Sequence, residues 1–288
     1  MNKGETYKNS SFNLEDFEKL QDSSKISWTK SKDDIWAAME DKMEVPVQKE
    51  SKVRTLSIFR YAVAAVIILL MGITGVLRFY SENFETAAGE HLSVNLPDGS
   101  VVEINAESSF KYYPYWWKIE RRMLMDGEAF FDVEKGNKFV VKSSNGKTRV
   151  LGTSFNIYSR NSDYRVDCIT GKVQVTASNN KVILMPNEQA VLNKLGNIDV
   201  KKEVLEKATI EWIDGKFFFT SVPLQMAIDE IEREYGVKVL NELTKDLNYT
   251  GNFSRDLSVD EVLDIVCKPL GVNFVKREEG VYQIIQNN

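Results

Sequence analysis

The sequence predicts a multi-domain single-pass membrane protein with a short helical N-terminal segment, one transmembrane helix, an all-β region and a C-terminal α+β domain. Three observations lead to this fold class. A single apolar run of membrane-spanning length begins near Phe59. Hydrophobicity then alternates with a period of two over residues 91–195, and strand-like and helix-like segments alternate after Trp212.

The apolar run lies within "FRYAVAAVIILLMGITGVLRFY". Tyr61 to Leu77 carry no charge, and about 17 residues at ~1.5 Å rise span ~26 Å, close to the thickness of the hydrocarbon layer. A signal peptide would follow a short charged leader, whereas this run starts far from the N-terminus. A buried core helix is the other alternative. We predict a transmembrane helix over residues 58–80.

Positive charge is distributed unequally about this run. Five cations lie near the N-terminal end of the run: Lys42, Lys49, Lys52, Arg54 and Arg60. Within a similar distance of the C-terminal end there is only Arg78. Because Lys and Arg favour the cytoplasmic side of a span, we expect a cytoplasmic N-terminus, with the residues after the span in the periplasm.

Composition argues against several classes of function. The formal net charge is −5 and no basic block occurs, so we expect no direct nucleic-acid partner. The one histidine, His91, has no companion for a metal site or a Ser-His pair, and we expect no cofactor. Cys168 and Cys267 each lie in an apolar segment, which favours two buried thiols over a disulfide.

The N-terminal segment contains one clear amphipathic helix in "SKDDIWAAMEDKMEVP". Ser31 is the predicted N-cap, with Asp34 three residues on, and Pro46 ends the pattern. The helix has one apolar face, and with a nearby tryptophan it supplies our candidate partner-binding residues: Trp28, Ile35, Trp36, Met39 and Met43. So short a segment buries little apolar surface by itself. Two interpretations stay open, a small two-helix core containing Trp28 and Trp36, or docking into a groove of a cytoplasmic partner.

Beyond the span the pattern is that of short β-strands. In "HLSVNLPDGSVVEINAESSF" apolar residues alternate on both sides of a Pro-Asp-Gly-Ser turn, which predicts a hairpin. Similar segments punctuated by glycine continue to Leu195. Many short, evenly spaced strands indicate a sandwich, a barrel or a solenoid, and the pattern does not choose among them.

This β-region contains no convincing catalytic motif. Ser154 in "LGTSF" lacks the second glycine, the following helix and the histidine of a nucleophile elbow, so we interpret it as structural. "DGEAFFDVEKG" has four carboxylates at even positions, which in a strand would share one solvated face, although Phe130 interrupts them: Asp126, Glu128, Asp132 and Glu134. We predict that the chain is not an enzyme.

The C-terminal part repeats one plan twice. "GKFFFTSVPLQMAIDEIEREYGVKVLNE" reads as strand, helix and strand, with the second strand at Val237 to Leu240. "YTGNFSRDLSVDEVLDIVCKPLGVNFVKREEGVYQIIQ" reads the same way, with Ser258 and Glu261 forming a capping box. Two β-α-β units indicate a compact α+β domain.

Ordered motifs carry a specific resemblance over about Ala87 to Asn193. "LPDGSVVEINAESSF", "DGEAFFDV", "FVV", "VLGTSFNIY" and "GKVQV" resemble, in sequence and spacing, the periplasmic domain of the FecR family of anti-sigma factors. Asn187 stands where the family usually has glycine, at a turn. The C-terminal part resembles the domain joined to FecR domains in Bacteroidetes-type proteins, which is similar to the signalling domain of secretins and TonB-dependent receptors.

The resemblance implies four parts: a cytoplasmic sigma-binding segment (1–57), the transmembrane helix (58–80), a FecR-like β-domain (81–200) and a signalling-like domain (205–288). It implies a relay across the inner membrane. A TonB-dependent outer-membrane receptor would contact the periplasmic part through its signalling domain, and the cytoplasmic helix would hold an extracytoplasmic-function sigma factor.

A different class of function remains as an alternative. "YYPYWWKIE" contains five aromatic residues that would suit a membrane-tethered binding or scaffold protein, for example for glycans: Tyr112, Tyr113, Tyr115, Trp116 and Trp117.

Overall fold

The computed structural model describes residue 18 and residues 29–43, 55–202, 210–243 and 245–286, with backbone alone at 55–57. Trp28 and Pro46 lie outside the described residues. The chain divides into two compact units, residues 1–64 and 65–288.

The helices of the described part are α1 (Lys32–Glu40), α2 (Thr55–Phe79), α3 (Leu224–Tyr235) and α4 (Val259–Cys267). Helix α2 contains the one segment in this part that is long and apolar enough to cross a membrane, the 22 residues Ile58–Phe79. Its most apolar stretch is not buried against protein, which argues against a core helix. By length and composition, α2 is a single candidate span.

Thirteen strands follow α2: β1 (Glu82–Glu85), β2 (Leu92–Asn95), β3 (Val101–Ile104), β4 (Ser109–Tyr112), β5 (Arg121–Asp132), β6 (Phe139–Lys142), β7 (Lys147–Val150), β8 (Ser154–Arg160), β9 (Asp163–Cys168), β10 (Val173–Ala177), β11 (Asn180–Leu184), β12 (Glu188–Leu192) and β13 (Ile198–Lys202). Their pairing forms two sheets. One has the order β1-β4-β5-β6-β7-β10-β11 and the other β2-β3-β5-β8-β9-β12-β13. Among the described pairings of these thirteen strands, β5 with β6 is the one parallel pair.

The predicted first hairpin is confirmed. Leu92 pairs with Ile104 and Val94 pairs with Val102 across β2 and β3, and Gly99 in the turn has φ 88°. That backbone conformation suits glycine.

Strand β5 belongs to both sheets. Its first half pairs with β4 and β6, its second half pairs with β3 and β8, and Gly127 lies between the halves. Inward-facing residues of both sheets meet in one hydrophobic core, including Phe110, Phe131 and Phe155. The architecture is therefore a sandwich, which decides among the three all-β alternatives.

The C-terminal domain holds five more strands: β14 (Lys216–Pro223), β15 (Lys238–Asn241), β16 (Asn248–Ser254), β17 (Val272–Glu278) and β18 (Val281–Gln286). β14 pairs with β16, whereas β15, β18 and β17 form a second sheet in that order. The two predicted β-α-β units are therefore interleaved, because β14 of the first unit pairs with β16 of the second and β15 of the first pairs with β18 of the second. The last predicted strand is a hairpin, because Gly280, with φ 72°, turns the chain between β17 and β18.

A second core lies under α3 and α4. The apolar side of α3 is buried here, with Ala227, Ile228 and Ile231 at 0% exposure. The capping box at Ser258 is present, since its hydroxyl accepts from Glu261 N. Phe130 of β5 also packs against this core, so the sandwich and the C-terminal domain are in direct contact.

Candidate functional site

Helix α1 and the turn that follows it position four of the five candidate partner-binding residues, three of them on the helix itself. The hydroxyl of Ser31 accepts from Asp34 N at 3.2 Å, and the Asp34 carboxylate accepts from Ser31 N at 3.3 Å, which completes the predicted capping box. The apolar stripe follows one side of the helix and is exposed: Trp36 at 57%, Met39 at 50% and Met43 at 56%, with Ile35 half-buried.

Met43 lies just beyond the end of α1, but its backbone N–H still bonds Met39 O at 2.9 Å, so it continues the same turn. No residue of α1 is buried. The stripe therefore presents apolar surface that the described residues do not cover. Trp28, the fifth candidate, lies outside the described residues.

A second notable surface is the outer face of the sheet that contains β5, β8, β9 and β12. We expected Asp126, Glu128, Asp132 and Glu134 to share a solvated face. Three of them are exposed, but Glu128 is buried because the C-terminal domain covers this part of the sheet. That expectation is wrong for Glu128. Phe130, which interrupts the carboxylates in the sequence, was the signal, because it packs on the C-terminal core.

Polar side chains run across the covered face. Asn156 is the cross-strand neighbour of Asp167, which is the neighbour of Gln189. The Glu128 carboxylate accepts from Asn105 Nδ2 at 2.9 Å and from Asn156 Nδ2 at 2.8 Å. Asp167 Oδ1 accepts from Gln189 Nε2 at 2.6 Å. These bonds satisfy much of the polarity that burial would otherwise penalise.

Burial raises the pKa of both carboxyls. For Glu128 the nearby Glu230 raises the pKa further, while the Asn156 bond and the charges of Arg160 and Arg165 oppose the shift. For Asp167 the Gln189 bond and the Arg165 charge oppose the effect of burial. A cavity of about 130 Å³ lies beside this network and has Trp212 in its wall. The two carboxyls thus belong to a polar contact between the sandwich and the C-terminal domain, and burial favours their protonated forms.

His91 takes part in the same contact between domains. Its Nε2 lies 2.9 Å from Glu234 Oε2, and its ring lies 5.9 Å from that of Trp212. Nearby, Gly89 N donates to Arg233 O at 2.7 Å. A Cβ at Gly89 would lie 2.9 Å from Glu234 O, so glycine permits this close approach. The histidine that lacked a partner in the sequence is paired with a glutamate from α3.

The residues examined for catalysis have structural contacts. Ser154 Oγ donates to Asp132 Oδ1 at 2.8 Å and accepts from Thr170 Oγ1 at 3.1 Å, joining β5, β8 and the turn after β9. Cys168 and Cys267 are buried and unpaired, as predicted, and burial raises the pKa of each thiol to about 11. Within the described residues no group of three metal-ligating side chains comes together.

The five aromatic residues named for the alternative function do not form one exposed surface. Tyr112 and Trp117 belong to the sandwich core, at 5% and 2% exposure. Tyr115 is exposed, and Tyr113 and Trp116 are half-buried. The sequence shows that the five are neighbours in the chain but not which of them face inward.

Comparisons with known proteins agree with this architecture. The family described as FecR protein matches residues 82–174, and the family described as FecR, C-terminal matches residues 216–284. Together these matches span more than half of the chain. No curated protein sequence matches the chain.

Two solved structures are similar, both described as a candidate anti-sigma factor from Parabacteroides distasonis ATCC 8503. The one at 2.50 Å resolution is 29% identical, with a TM-score of 0.67 over 73% of this chain and 100% of that chain. The one at 1.65 Å is 28% identical, with a TM-score of 0.67 over 72% of this chain and 100% of that chain.

A β-sandwich joined to this C-terminal domain, preceded by a helix able to span a membrane, defines the class of anti-sigma regulators. The chain belongs to the FecR family of anti-sigma factors.

Proposed function

We propose that this chain is an inner-membrane anti-sigma factor that relays a signal from an outer-membrane TonB-dependent receptor to an extracytoplasmic-function sigma factor. Residues 1–57 lie in the cytoplasm and 58–80 cross the membrane. The FecR-like domain (81–200) and the signalling-like domain (205–288) lie in the periplasm. Membership of the family supports a sigma factor as partner, and α2 supports a single span.

The orientation rests on charge. Five cations precede the span, whereas only Arg78 follows it within a similar distance. The flank of a span that carries the excess of Lys and Arg usually lies in the cytoplasm. The signal then enters through the periplasmic domains, where the receptor's signalling domain binds, and leaves through α1.

The observation that carries the proposal is the exposed stripe on α1. Trp36 and Met39 are each at least half exposed on a helix that buries no residue, and Met43 is equally exposed in the turn after it. An amphipathic helix with such a face is suited to a hydrophobic groove on another protein. Tryptophan is also the residue type most often found to dominate binding energy at such contacts. The partner surface that we propose comprises Ile35, Trp36, Met39 and Met43, and Trp28 remains a candidate on the sequence alone.

This function requires no catalytic step. Ser154 and Glu128, the residues considered for chemistry, are both engaged in hydrogen bonds that hold strands together. The relay needs folded contact surfaces outside, one span, and a binding helix inside.

Trp36→Ala tests the proposal in the full chain. Truncating a tryptophan that becomes buried on binding costs about 2 kcal/mol, so the affinity for the sigma factor, measured by titration in detergent extracts, should fall roughly thirtyfold. Ala37→Gln, on the opposite side of α1 and also exposed, should leave capture unchanged.

Two results would contradict the proposal. Equal capture by the wild-type chain and Trp36→Ala would show that Trp36 does not contact the sigma factor. It would favour the interpretation in which Trp28 and Trp36 belong to a small two-helix core. If the wild-type chain captures no sigma factor, the relay has no output and a tethered periplasmic binding protein becomes the better account.

A further inference from the structure

The loop between β4 and β5, Tyr113–Glu120, packs against the C-terminal end of α2; we call it the aromatic loop. Arg78 lies with its guanidinium carbon 5.2 Å from the centroid of the Trp116 ring, and its Nη2 lies 3.7 Å from Glu120 Oε2. The Tyr80 and Tyr115 rings have centroids 5.1 Å apart. The loop is therefore held at the level where the candidate span ends.

The connection between span and sandwich is too short to separate them. Helix α2 ends at Phe79 and β1 begins at Glu82. Two intervening residues reach at most about 7–10 Å when fully extended. The polar layer of a bilayer is itself about 5–8 Å thick on each side, so the near end of the sandwich must lie within or directly above it.

The aromatic loop presents apolar side chains outward on a rigid base. Trp117 is buried and makes edge-on contacts with Tyr112 at 5.6 Å and Phe139 at 5.7 Å. From this base Tyr115 is 61% exposed and Ile119 is 69% exposed. The outward position of these two side chains is thus set by core packing and not by a loose loop.

The charges around the loop suit lipid headgroups. Lys118 is exposed on the loop. On the adjoining strands, Lys111 and Arg122 flank the Tyr113 ring at 6.0 and 5.4 Å. The one acid in the loop, Glu120, is already engaged by Arg78 and, at 4.0 Å, by Arg122. Aromatic rings and cations of this kind are favoured at the membrane–water interface, where rings contact acyl chains and cations contact phosphate.

We propose that the aromatic loop rests in the headgroup layer of the bilayer that α2 crosses, with Tyr115 and Ile119 in contact with lipid. The inference rests on the proposed function in one respect, the passage of α2 through the membrane. A bilayer is the occupant because the exposed side chains continue directly from the end of the span. The contact holds the near end of the sandwich at the membrane surface.

The test measures immersion depth in the full chain, reconstituted in phosphatidylcholine vesicles at a low protein-to-lipid ratio. A nitroxide label is attached to one introduced cysteine at a time: Ile119→Cys in the loop, Ile68→Cys in the span, or Leu195→Cys as the matched control. Leu195 is 86% exposed in the turn between β12 and β13. The unsubstituted chain reports background labelling, which should be low because Cys168 and Cys267 are buried.

Relaxation of each label by oxygen, which partitions into lipid, is compared with relaxation by a water-soluble nickel chelate. The Ile119 and Ile68 labels should show an oxygen-to-nickel ratio severalfold higher than the Leu195 label. All three side chains are exposed to their surroundings, so none of the substitutions should disturb folding.

The two possible failures are distinguishable. If the Ile68 label shows the lipid profile but the Ile119 label matches Leu195, the span is correct and the loop contact is wrong. If the Ile68 label itself shows the aqueous profile, α2 does not cross the bilayer, and both the proposed topology and the loop contact are overturned.

Discussion

At residue 128 a carboxyl group is held beneath a second domain by two amide donors, Asn105 and Asn156. Its pKa is raised above the ordinary value, chiefly by burial. The difference in pKa between the folded and unfolded states determines how stability changes with pH. Below about pH 4.3 the group is protonated in both the folded and unfolded states and costs nothing. As the pH rises from there towards the raised folded pKa, the unfolded state loses its proton first, so stability falls until the folded state ionises as well.

Glu128→Gln should therefore flatten the pH dependence of stability. As the pH rises above about 4.3, the free energy of unfolding of the wild-type chain should decline more steeply than that of the variant, because Gln does not titrate. Asp167 retains its own raised pKa, so part of the decline should persist. Thermal unfolding of the purified chain in detergent, followed by circular dichroism across this range, measures the difference.

Glu128→Leu separates hydrogen bonding from titration. It leaves the side-chain donors of Asn105 and Asn156 buried and unpaired, which should lower the free energy of unfolding by about 1–3 kcal/mol for each donor. Asp132→Asn, an exposed change on the same strand, should stay within about 0.5 kcal/mol of the wild-type chain. Parallel pH curves for Glu128→Gln and the wild-type chain would show that this carboxyl is ionised in both states.

At the scale of one element, β5 is the strand on which the sandwich depends. Its twelve residues join both sheets, and Gly127 at their junction has φ 108°. A Cβ built at Gly127 would lie 2.7 Å from Ser108 Cα. Two costs thus coincide there, a left-handed backbone and a backbone clash.

Gly127→Ala should accordingly destabilise the sandwich by more than the left-handed backbone alone, about 1–3 kcal/mol. Gly280→Ala is the matched control, because Gly280 has φ 72° but nothing within 4 Å of a built Cβ. The melting temperature of each variant, again in detergent, provides the comparison. Equal losses in the two variants would mean that Ser108 moves aside at little cost.

At the scale of the whole molecule, the charge asymmetry about α2 predicts which side of the membrane each part occupies. External protease added to spheroplasts should digest residues 82–288 and spare an N-terminal tag, since positively charged flanks remain in the cytoplasm. Immunoblotting of both ends checks this result. Loss of the tag with survival of the C-terminal domain would reverse the orientation, and a lysed sample controls for protease access.

Features set by neighbouring residues could be predicted from the sequence. The length of the apolar run, the alternation in β2 and β3, and the capping boxes at Ser31 and Ser258 depend on spacings of a few residues, and the structure contains them. The ordered motifs of the β-region were also sufficient to identify the FecR family. Local periodicity records which side of an element is apolar, because burial selects for it at every turn or pleat.

Contacts between distant segments were decided by tertiary structure. His91 and Glu234 are 143 positions apart, and the burial of Glu128 depends on a domain that begins far along the chain. Likewise, alternation could not distinguish Trp117 in the core from exposed Tyr115, because that depends on how the loop packs on Tyr112 and Phe139. A polar residue on a strand face looks the same in sequence whether water or another domain covers it, since the pattern records only its own sheet.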